Sequence, residues 1–305
     1  MKILITGGSG FIGSHLAEEL SKNNEVIIFD DMSGGKKDFL AGINCKIVKG
    51  SILDQKSLDN AMKGVNECYH LAADPRVKES YDKPFENFQV NCEGTVRVLE
   101  ACRKNNVSNF VFSSSSVVYG NAKMPTPEEA PIKPISNYGA AKAASESYIM
   151  SYSHLYGIKG TILRYANVIG PKSTHGICYD FYNKLKKNPK ELEIFGDGTQ
   201  EKSYVHVKDV VSATIFAKEH TTKEVDVFNV GNETSVTVNE ITRVVIEFMG
   251  LKDVKLKHTE GTAGWPGDVP KMLLSVDKLK RLGWKSKYTI KESIIDTLKY
   301  LDSQT

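Results

Sequence analysis

A tyrosine is followed four residues later by a lysine at four places in this 305-residue chain. Where such a pair shares one face of a helix, the ammonium charge can lower the pKa of the phenol and prepare it to exchange a proton with an alcohol undergoing oxidation. The pairs are Tyr119/Lys123, Tyr138/Lys142, Tyr182/Lys186 and Tyr204/Lys208. Spacing alone does not choose among them, so the elements that carry each pair must decide.

Three of the pairs lie in a poor context for this chemistry. Tyr204 begins the strand-like run SYVHV, so its side chain and that of Lys208 would not share a helical face. Tyr119 lies in the turn-forming stretch YGNAKMPTP, and Tyr182, although helical in pattern, belongs to the second half of the chain. We therefore expect no catalytic role for these pairs.

The remaining pair, Tyr138/Lys142, opens a long helix rich in Ala and Ser, NYGAAKAASESY. The preceding run FVFSSSS predicts a strand that ends at the carboxyl edge of a parallel sheet, where ligands bind in open α/β folds. Ser115 in that run can hold the same substrate oxygen that exchanges its proton with Tyr138. We therefore predict Ser115, Tyr138 and Lys142 as the catalytic residues.

A glycine-rich turn lies between the first predicted strand and helix, where ILITGGSGFIGSH contains Gly7, Gly10 and Gly13. Glycines at these points permit a tight turn, close approach of the backbone to a pyrophosphate and close packing of helix on strand. Asp30, or its neighbour Asp31, ends the second strand and can accept hydrogen bonds from ribose hydroxyls while repelling a 2′-phosphate. The pattern predicts a bound dinucleotide and favours NAD over NADP.

The first half of the chain alternates β-branched runs with stretches of helical period. This predicts an α/β fold with a Rossmann-type, doubly wound parallel sheet. Further along, the elements become shorter. We predict an NAD-binding domain over residues 1–170, to which residues 206–231 return, and a smaller α/β substrate-binding domain over residues 171–205 and 232–305.

The composition argues against several classes of function. The net charge of +3 is too small to indicate binding to nucleic acid or to an anionic membrane, and no apolar run is long enough to span a bilayer. The first residues read as a strand and a glycine turn rather than as a signal peptide. Five cysteines without Cys-x-x-Cys spacing favour free thiols and a cytoplasmic location over disulfides or a metal site.

Beyond these local patterns, the whole chain resembles the extended short-chain dehydrogenase/reductases, and among them the NAD-dependent nucleotide-sugar epimerases of the UDP-glucose 4-epimerase type. The matching stretches are TGGSGFIGSH, FDDMSGG, YHLAA, NCEGT, FSSSSVVYG, NYGAAK, LRYANVIGP, EIFGDGTQ, YVHVKDV and GDVP…LGW. The resemblance implies inversion of C4 in a nucleotide diphosphate sugar through a transient 4-keto sugar. UDP-glucose and UDP-galactose are the expected pair, with some tolerance of N-acetylhexosamines.

The resemblance also extends the two predicted binding sites. The cofactor contacts are predicted to be Gly7, Gly10, Phe11, Ile12, Gly13, Asp30, Asp31, Ser33, Gly34, Ser51, Ile52, Leu71, Ala72, Ala73, Asn91, Ser113, Tyr138, Lys142 and Tyr165. The substrate contacts are predicted to be Ser115, Tyr138, Asn167, His175, Phe195, Lys202, Asp268 and Met272. Phe195 either stacks on the base or belongs to the core, and Met272 is expected to gate the 2-substituent of the sugar.

The chain departs from this family at three positions. Ser51 stands where the family has an Asp that holds the adenine amino group. Lys202 and Trp265 stand where the family has two arginines that clamp the diphosphate. Lys offers a point charge in place of a bidentate fork, and Trp offers no charge.

Related activities differ in the stretch Ser115–Gly120. Related 4,6-dehydratases carry an acidic pair there, and related decarboxylases an acid at the position of Val117, so both are disfavoured. A nucleotide-sugar 4-reductase with the same Ser/Tyr/Lys set is an alternative, and a non-catalytic NAD-binding regulatory protein is one from a different class.

Helices predicted over residues 85–105 and 138–156 carry apolar and small residues on more than one side, and the family pairs them with their copies, so we predict a homodimer.

Overall fold

The computed structural model, which describes residues 1–259 and 261–304, is built on a parallel sheet of seven strands. In chain order the strands are β1 Lys2–Thr6, β2 Glu25–Asp30, β3 Cys45–Lys49, β4 Glu67–His70, β5 Asn109–Ser115, β6 Lys159–Tyr165 and β11 Val225–Val230. Across the sheet they run β11-β6-β5-β4-β1-β2-β3. The winding direction reverses between β1 and β4, which confirms the predicted doubly wound, Rossmann-type α/β fold.

Helices cover both faces of this sheet. They are α1 Phe11–Leu20, α2 Gln55–Ala61, α3 Pro84–Phe88, α4 Gly94–Lys104, α5 Asn137–Tyr156 and α7 Val207–Glu219. Ile3 and Ile5 of β1 belong to an apolar cluster with α1 and α7, whereas Leu4 between them belongs to a second cluster with α2 and α4. Successive strand residues point to opposite faces of the sheet. Because both faces are covered by helices, these three successive residues are all apolar.

The remaining elements follow β6 and form smaller sheets and a third cluster. They are β7 Asn167–Ile169, α6 Ile177–Lys187, β8 Glu191–Ile194, β9 Glu201–Lys202, β10 Tyr204–His206, β12 Val236–Thr237, α8 Val238–Phe248, β13 Lys255–His258, β14 Lys271–Met272, α9 Asp277–Leu282 and α10 Ile290–Ser303. Leu185, Ile241 and Leu298, from α6, α8 and α10, are fully buried in the third cluster. β11 returns to pair with β6. The division into two domains stays a prediction, and Glu260 and Thr305, which fall in its last segment, lie outside the described residues.

The segment predicted as one helix over residues 85–105 is helical but not uniform. Between α3 and α4 the chain passes through a π-helical stretch, Gln89–Glu93. The carbonyl oxygen of Asn91 in this stretch accepts hydrogen bonds from Thr95 Oγ1 at 2.7 Å and from Ser145 Oγ of α5 at 2.9 Å. Two side-chain hydroxyls thus donate to one carbonyl oxygen of the π-helical stretch. Such stretches within α-helices are frequent at functional sites.

A buried carboxylate joins α7 to the C-terminal part of the chain. Asp209 is 1% exposed, and its two oxygens accept hydrogen bonds from the main-chain N–H groups of Lys287 and Tyr288, each at 3.0 Å. His206 caps the same helix by accepting from Lys208 N, and its ring stacks on that of Tyr288 at 3.9 Å. These contacts fix where α10 begins relative to the large sheet. No helix of the described ranges is long and apolar enough to cross a membrane.

We expect Asp209→Ala to lower the free energy of unfolding by about 2–4 kcal/mol, because each buried N–H left without an acceptor costs about 1–3 kcal/mol. Lys208→Ala, at the exposed neighbouring position of the same helix, is the matched control and should change it by less than about 0.5 kcal/mol. Urea unfolding followed by circular dichroism measures both. Equal midpoints for the two variants would contradict this role of Asp209.

Candidate active site

The turn between β1 and α1 is shaped for close contact with an anion. Gly7 has φ +70°, and a Cβ there would lie 2.6 Å from Ala72 N. A Cβ at Gly13 would lie 2.2 Å from Gly7 O, so helix and turn are in direct backbone contact. No side chain caps α1 at Gly10, and the first N–H groups, on Phe11 and Ile12, have no acceptor within the helix. The residues present therefore fit the pyrophosphate of a dinucleotide, as predicted.

Asp30 is fixed beside this turn at the end of β2. Its Oδ2 accepts a hydrogen bond from Ser9 N at 3.0 Å, and its Oδ1 accepts one from Met32 N at 2.8 Å. Each carboxylate oxygen has a further lone pair for a ribose hydroxyl. The neighbouring Asp31 accepts from the N–H and hydroxyl of Ser33 within its own loop. Of the two acids left open by the sequence, Asp30 is the one that adjoins the glycine turn.

The predicted adenine side of the cofactor site follows β3. Ser51 Oγ accepts a hydrogen bond from Leu53 N at 3.2 Å and thus stabilises the turn that leads to α2. Ile52 is 7% exposed and belongs to the apolar cluster beneath α4, where a Cβ at Gly94 would meet its Cδ1 at 2.5 Å. Gly34 adjoins open space. Ser51 therefore offers a short hydroxyl where the family has a longer carboxylate.

The loop after β4 is held against the glycine turn from both ends. Leu71 N donates to Thr6 O at 3.0 Å, and Ala72 N donates to the hydroxyl of the same threonine at 3.3 Å. Asn91 accepts from Asp74 N at 2.9 Å and donates to Asp74 O at 3.0 Å. The predicted cofactor contacts Leu71, Ala72 and Ala73 thus lie on a backbone that is held before any ligand arrives.

His70, which precedes this loop, is a structural residue. It is 1% exposed, its Nδ1 lies 2.6 Å from Thr6 Oγ1, and its Nε2 lies 3.0 Å from Thr95 Oγ1. Burial, with the nearby Lys142 charge, lowers the pKa of His70 to about 3. Its ring therefore stays neutral and serves packing.

The predicted trio of Ser115, Tyr138 and Lys142 comes together where β5 ends and α5 begins. Ser136 caps α5 by accepting from Gly139 N at 3.1 Å, which sets the helix start just before Tyr138. The Ser115 hydroxyl lies near the Tyr138 phenol and acts to lower its pKa. Lys142 is 2% exposed, its Nζ donates to the carbonyl oxygen of the predicted Ser113 at 2.8 Å, and it lies 5.8 Å from the Tyr138 ring centre.

Burial dominates the protonation of this trio. It raises the pKa of Tyr138 above its usual value, although the Ser115 hydrogen bond opposes the rise and Asp74 adds to it. Burial lowers the pKa of Lys142 to about 7, and the carboxylate of Glu146 opposes that fall. The lowered pKa expected for Tyr138 from the sequence depends on the positive nicotinamide as well as on Lys142, and it stays a prediction. In the protein by itself, desolvation of the phenolate is the largest influence. The charge of Lys142 therefore changes with pH near neutrality.

The other three Tyr/Lys pairs are engaged elsewhere. Tyr119 accepts a hydrogen bond from the buried Arg164 at 2.7 Å. Tyr182 lies in the third apolar cluster and donates to Asp302 at 2.9 Å, while Tyr204 is buried in β10. The choice of Tyr138/Lys142 over these pairs stays a prediction.

Two of the three positions that depart from the family, Lys202 and Trp265, contact each other. Lys202 Nζ lies 2.5 Å from Asp268 Oδ1 and 5.4 Å from the Trp265 ring centre. Asp268 also accepts from Gly264 N at 3.0 Å, and Trp265 Nε1 is buried with no acceptor among the described residues. The lysine charge is therefore already balanced by a carboxylate, so two predicted substrate contacts, Lys202 and Asp268, act as a pair.

Phe195 is 41% exposed, so the alternative that it belongs to the core is wrong. Ammonium groups lie near its ring: Lys78 Nζ at 4.8 Å and Lys184 Nζ at 4.7 Å from the ring centre. Lys78 lies in the loop after β4 and Lys184 lies on α6, so the ring is placed between that loop and α6. His175 is also exposed, just before α6.

Three further predicted contacts lie deeper. Asn167 begins β7 and is paired with Tyr204 of β10. Met272 is paired with Lys202 and is 8% exposed within the main apolar cluster. The Tyr165 side chain is buried, with its hydroxyl 2.8 Å from Thr214 Oγ1 of α7, so its phenol points into the core and only its backbone lies at the sheet edge.

Sequence reasoning missed two polar residues next to the trio. Ser80 Oγ accepts from Tyr138 N at 3.3 Å, and its carbonyl oxygen accepts from Asn137 Nδ2 at 2.7 Å. Glu146, one turn beyond Lys142, is fully buried. The i, i+4 spacing to Lys142 was a signal for Glu146, whereas Ser80 carries no local pattern that would single it out.

The turn, the acid after β2 and the trio at one sheet edge define a nucleotide-dependent enzyme site. The NAD dependent epimerase/dehydratase family model matches residues 3–231, and the chain belongs to this family. Its cofactor is accordingly NAD, and it is an epimerase-type enzyme.

Individual relatives agree with this assignment. The chain is 34% identical to a UDP-glucose 4-epimerase of Thermotoga maritima solved with UDP-glucose, with a TM-score of 0.91 over 100% of this chain and 99% of that one. It is 32% identical to a UDP-glucose 4-epimerase of Lactobacillus helveticus, covering 97% of this chain and 96% of the relative. It is also 31% identical to a UDP-N-acetyl-alpha-D-glucosaminuronate decarboxylase of Bacillus cytotoxicus, covering 92% and 91%. The family thus includes more than one reaction on UDP-sugars.

We expect Gly13→Ala to lose bound NAD, because the added Cβ would meet Gly7 O at 2.2 Å and force α1 away from the turn. Affinity should fall by about tenfold or more, the equivalent of about 1.4 kcal/mol. Glu18→Ala, at an exposed position of the same helix, should keep wild-type binding. Chromatography of nucleotides released from the denatured proteins, together with NAD titration of the refolded ones, measures both. NAD bound equally by the two variants would contradict the assignment of this turn.

Proposed function

We propose that the enzyme inverts C4 of a UDP-hexose, interconverting UDP-glucose and UDP-galactose, with Ser115, Tyr138 and Lys142 as its catalytic residues. One observation carries the proposal: these three side chains converge at the carboxyl edge of β5, on the same edge as the glycine turn. The relatives that act on UDP-glucose support the substrate class.

The chain's residues account for the proton transfers of such a reaction. As the phenolate, Tyr138 takes the proton of the sugar 4-hydroxyl, and Ser115 holds that oxygen by a hydrogen bond. Lys142, as the ammonium, stabilises the phenolate that burial would otherwise disfavour. When bound, NAD supplies the hydride chemistry: C4 gives up a hydride and receives it again on the opposite face. Tyr138 then returns the proton to the 4-keto oxygen, so no net oxidation occurs.

The rest of the substrate would extend across the cleft. Phe195 would stack on the base, with His175 and Asn167 near the sugar diphosphate, and Met272 would border the 2-substituent of the sugar. Lys202 would meet the diphosphate while paired with Asp268. A small or flexible residue beside the sugar admits some N-acetylhexosamine, since one misfit of methylene size discriminates by only about 1–3 kcal/mol.

Related reactions are disfavoured by the residues between Ser115 and Tyr119. Ser116, Val117 and Val118 supply no carboxylate where elimination or decarboxylation would need an acid. Incubation with UDP-glucose and no added NADH, followed by proton NMR, tests the proposal. We expect UDP-galactose to form until equilibrium without added reduced cofactor. Stoichiometric oxidation of NADH with a 4-keto sugar nucleotide would instead identify a 4-reductase.

We expect Tyr138→Phe to reduce kcat by about 10²–10⁴-fold, the usual worth of general acid–base catalysis, while NAD remains bound. Tyr182→Phe removes a phenol of another Tyr/Lys pair, in the third cluster, and is the control that should retain kcat within a few-fold. Turnover and released nucleotide are measured on the same preparations. If Tyr182→Phe were the inactive variant, the choice among the four pairs would be wrong.

We also propose a homodimer formed through α4 and α5, working in the cytoplasm, where the five free cysteines stay reduced. Tyr148 on α5 is 46% exposed, and Phe85 and Phe88 of the adjoining α3 are exposed as well. Tyr148→Glu should give a monomer by light scattering, because a charge would be buried in the contact. Leu282→Glu, at a 42% exposed apolar position on α9, should remain dimeric. A wild-type monomer at micromolar concentration would contradict the dimer.

A further inference from the structure

Three successive serines of β5 contact three successive turns of α5. Ser115 lies near the Tyr138 phenol, the Ser113 carbonyl accepts a hydrogen bond from Lys142 Nζ at 2.8 Å, and the Ser114 hydroxyl donates one to Glu146 Oε1 at 2.5 Å. The first two belong to the proposed catalytic trio. The third reaches a carboxylate that lies one helical turn beyond Lys142 and that the proposed reaction does not use.

The Glu146 carboxylate is fully buried and fully engaged. Arg164 of β6, itself 3% exposed, donates from Nη2 to Oε2 at 2.6 Å and from Nε to Oε1 at 3.0 Å. The remaining nitrogen of Arg164 donates to Tyr119 OH at 2.7 Å and to Glu128 O at 2.9 Å. The carboxylate is therefore held from two strands and cannot turn away from the helix.

A buried ion pair of this kind is weak support for stability. Removing two charges from water costs about as much as their attraction returns, and apolar residues of similar volume often serve as well. The placement of the pair indicates another use. Glu146 stands at i+4 from Lys142, on the same face of α5. Its partner Arg164 approaches from β6, so the negatively charged member of the ion pair is the one that shares a helix with Lys142.

The surroundings of Lys142 otherwise disfavour its charge. It is buried, with the Phe112 ring centre 4.7 Å from Nζ. His70 of β4 is neutral, and the negative charge of Asp74, in the loop after β4, acts on Tyr138. Burial lowers the pKa of Lys142, and the charge of Glu146 raises it.

We propose that Glu146 is a positioning residue of the reaction: held by Arg164 and Ser114, its carboxylate is the fixed counter-charge that keeps Lys142 cationic next to Tyr138. The proposal rests on the catalytic role given to Lys142 under the proposed function. Glu146 touches neither cofactor nor substrate and acts through the lysine.

The test is Glu146→Gln, which keeps shape and hydrogen bonding but removes the charge. Because the ammonium loses its stabilising partner, its pKa should fall, and the alkaline limb of the pH–kcat/KM profile should move to lower pH. The expected displacement is about one pH unit or more, as for a close opposite charge. Glu146→Asp retains the charge and should restore most of the wild-type profile.

A second readout does not depend on turnover. In protein made with lysine labelled with 13C at the ε-carbon, the NMR shift of Lys142, assigned by its absence in Lys142→Met, reports the protonation of Nζ directly. Its midpoint should move to lower pH in Glu146→Gln by the same amount as the limb of the profile.

Two further variants separate charge from packing. Glu146→Gln/Arg164→Met leaves no lone buried charge, so it should fold even if the single variant does not, and it should displace the Lys142 midpoint in the same direction. Glu67→Gln removes another buried carboxylate, which begins β4 and pairs with Lys218 of α7. It should leave both the Lys142 midpoint and the pH–kcat/KM profile unchanged.

An unchanged Lys142 midpoint in Glu146→Gln or in the double variant would overturn the proposal, as would an equal shift in Glu67→Gln. Failure of the proposed function gives a different result. Full activity of Lys142→Met would remove the catalytic role of the lysine, while the NMR midpoint would still show whether Glu146 sets its charge.

Discussion

A parallel sheet brings the carboxyl ends of its strands to one edge, and the candidate site depends on that constraint. The glycine turn follows β1, Asp30 ends β2, the Leu71–Ala73 loop follows β4 and Ser115 ends β5. These positions are far apart in sequence, but all of them lie at or just after the carboxyl ends of strands, at the same edge of the sheet. The reversal of winding between β1 and β4 opens the crevice there, so the cofactor turn and the proposed proton-transfer residues face one space.

The same burial that holds these groups in place also sets their chemistry. Tyr138 and Lys142 are both nearly inaccessible, and desolvation pushes their pKa values away from the charged forms. A site that needs an ionised pair must therefore supply charge from within the protein or from its ligands. The loop held by Asn91 and the helix start fixed by Ser136 keep the atoms in register, so the remaining variable is electrostatic.

Sequence patterns predicted the sheet because apolar runs and helical periods are local properties. They also selected Tyr138/Lys142 among four equal spacings, since a helix start after a strand end is local too. They did not predict that the phenol of Tyr165 is turned into the core, that Phe195 is exposed, or that a π stretch carries Asn91. Each of these depends on contacts between residues distant in the chain, as Glu146 and Arg164 depend on the docking of α5 against β6. Burial of a polar side chain is decided by such docking and leaves little trace in the composition around it.

The contact among Lys202, Trp265 and Asp268 limits what a single substitution at any of these positions can do. Asp268 already takes the charge at position 202, so an arginine restored there alone would be drawn to the same carboxylate instead of to a phosphate. An arginine restored at 265 alone would place a second cation beside Lys202 and lose the ring that its ammonium lies against. Neither single step regains a two-arginine clamp. The effects of substitutions at these three positions are therefore expected to depend on one another.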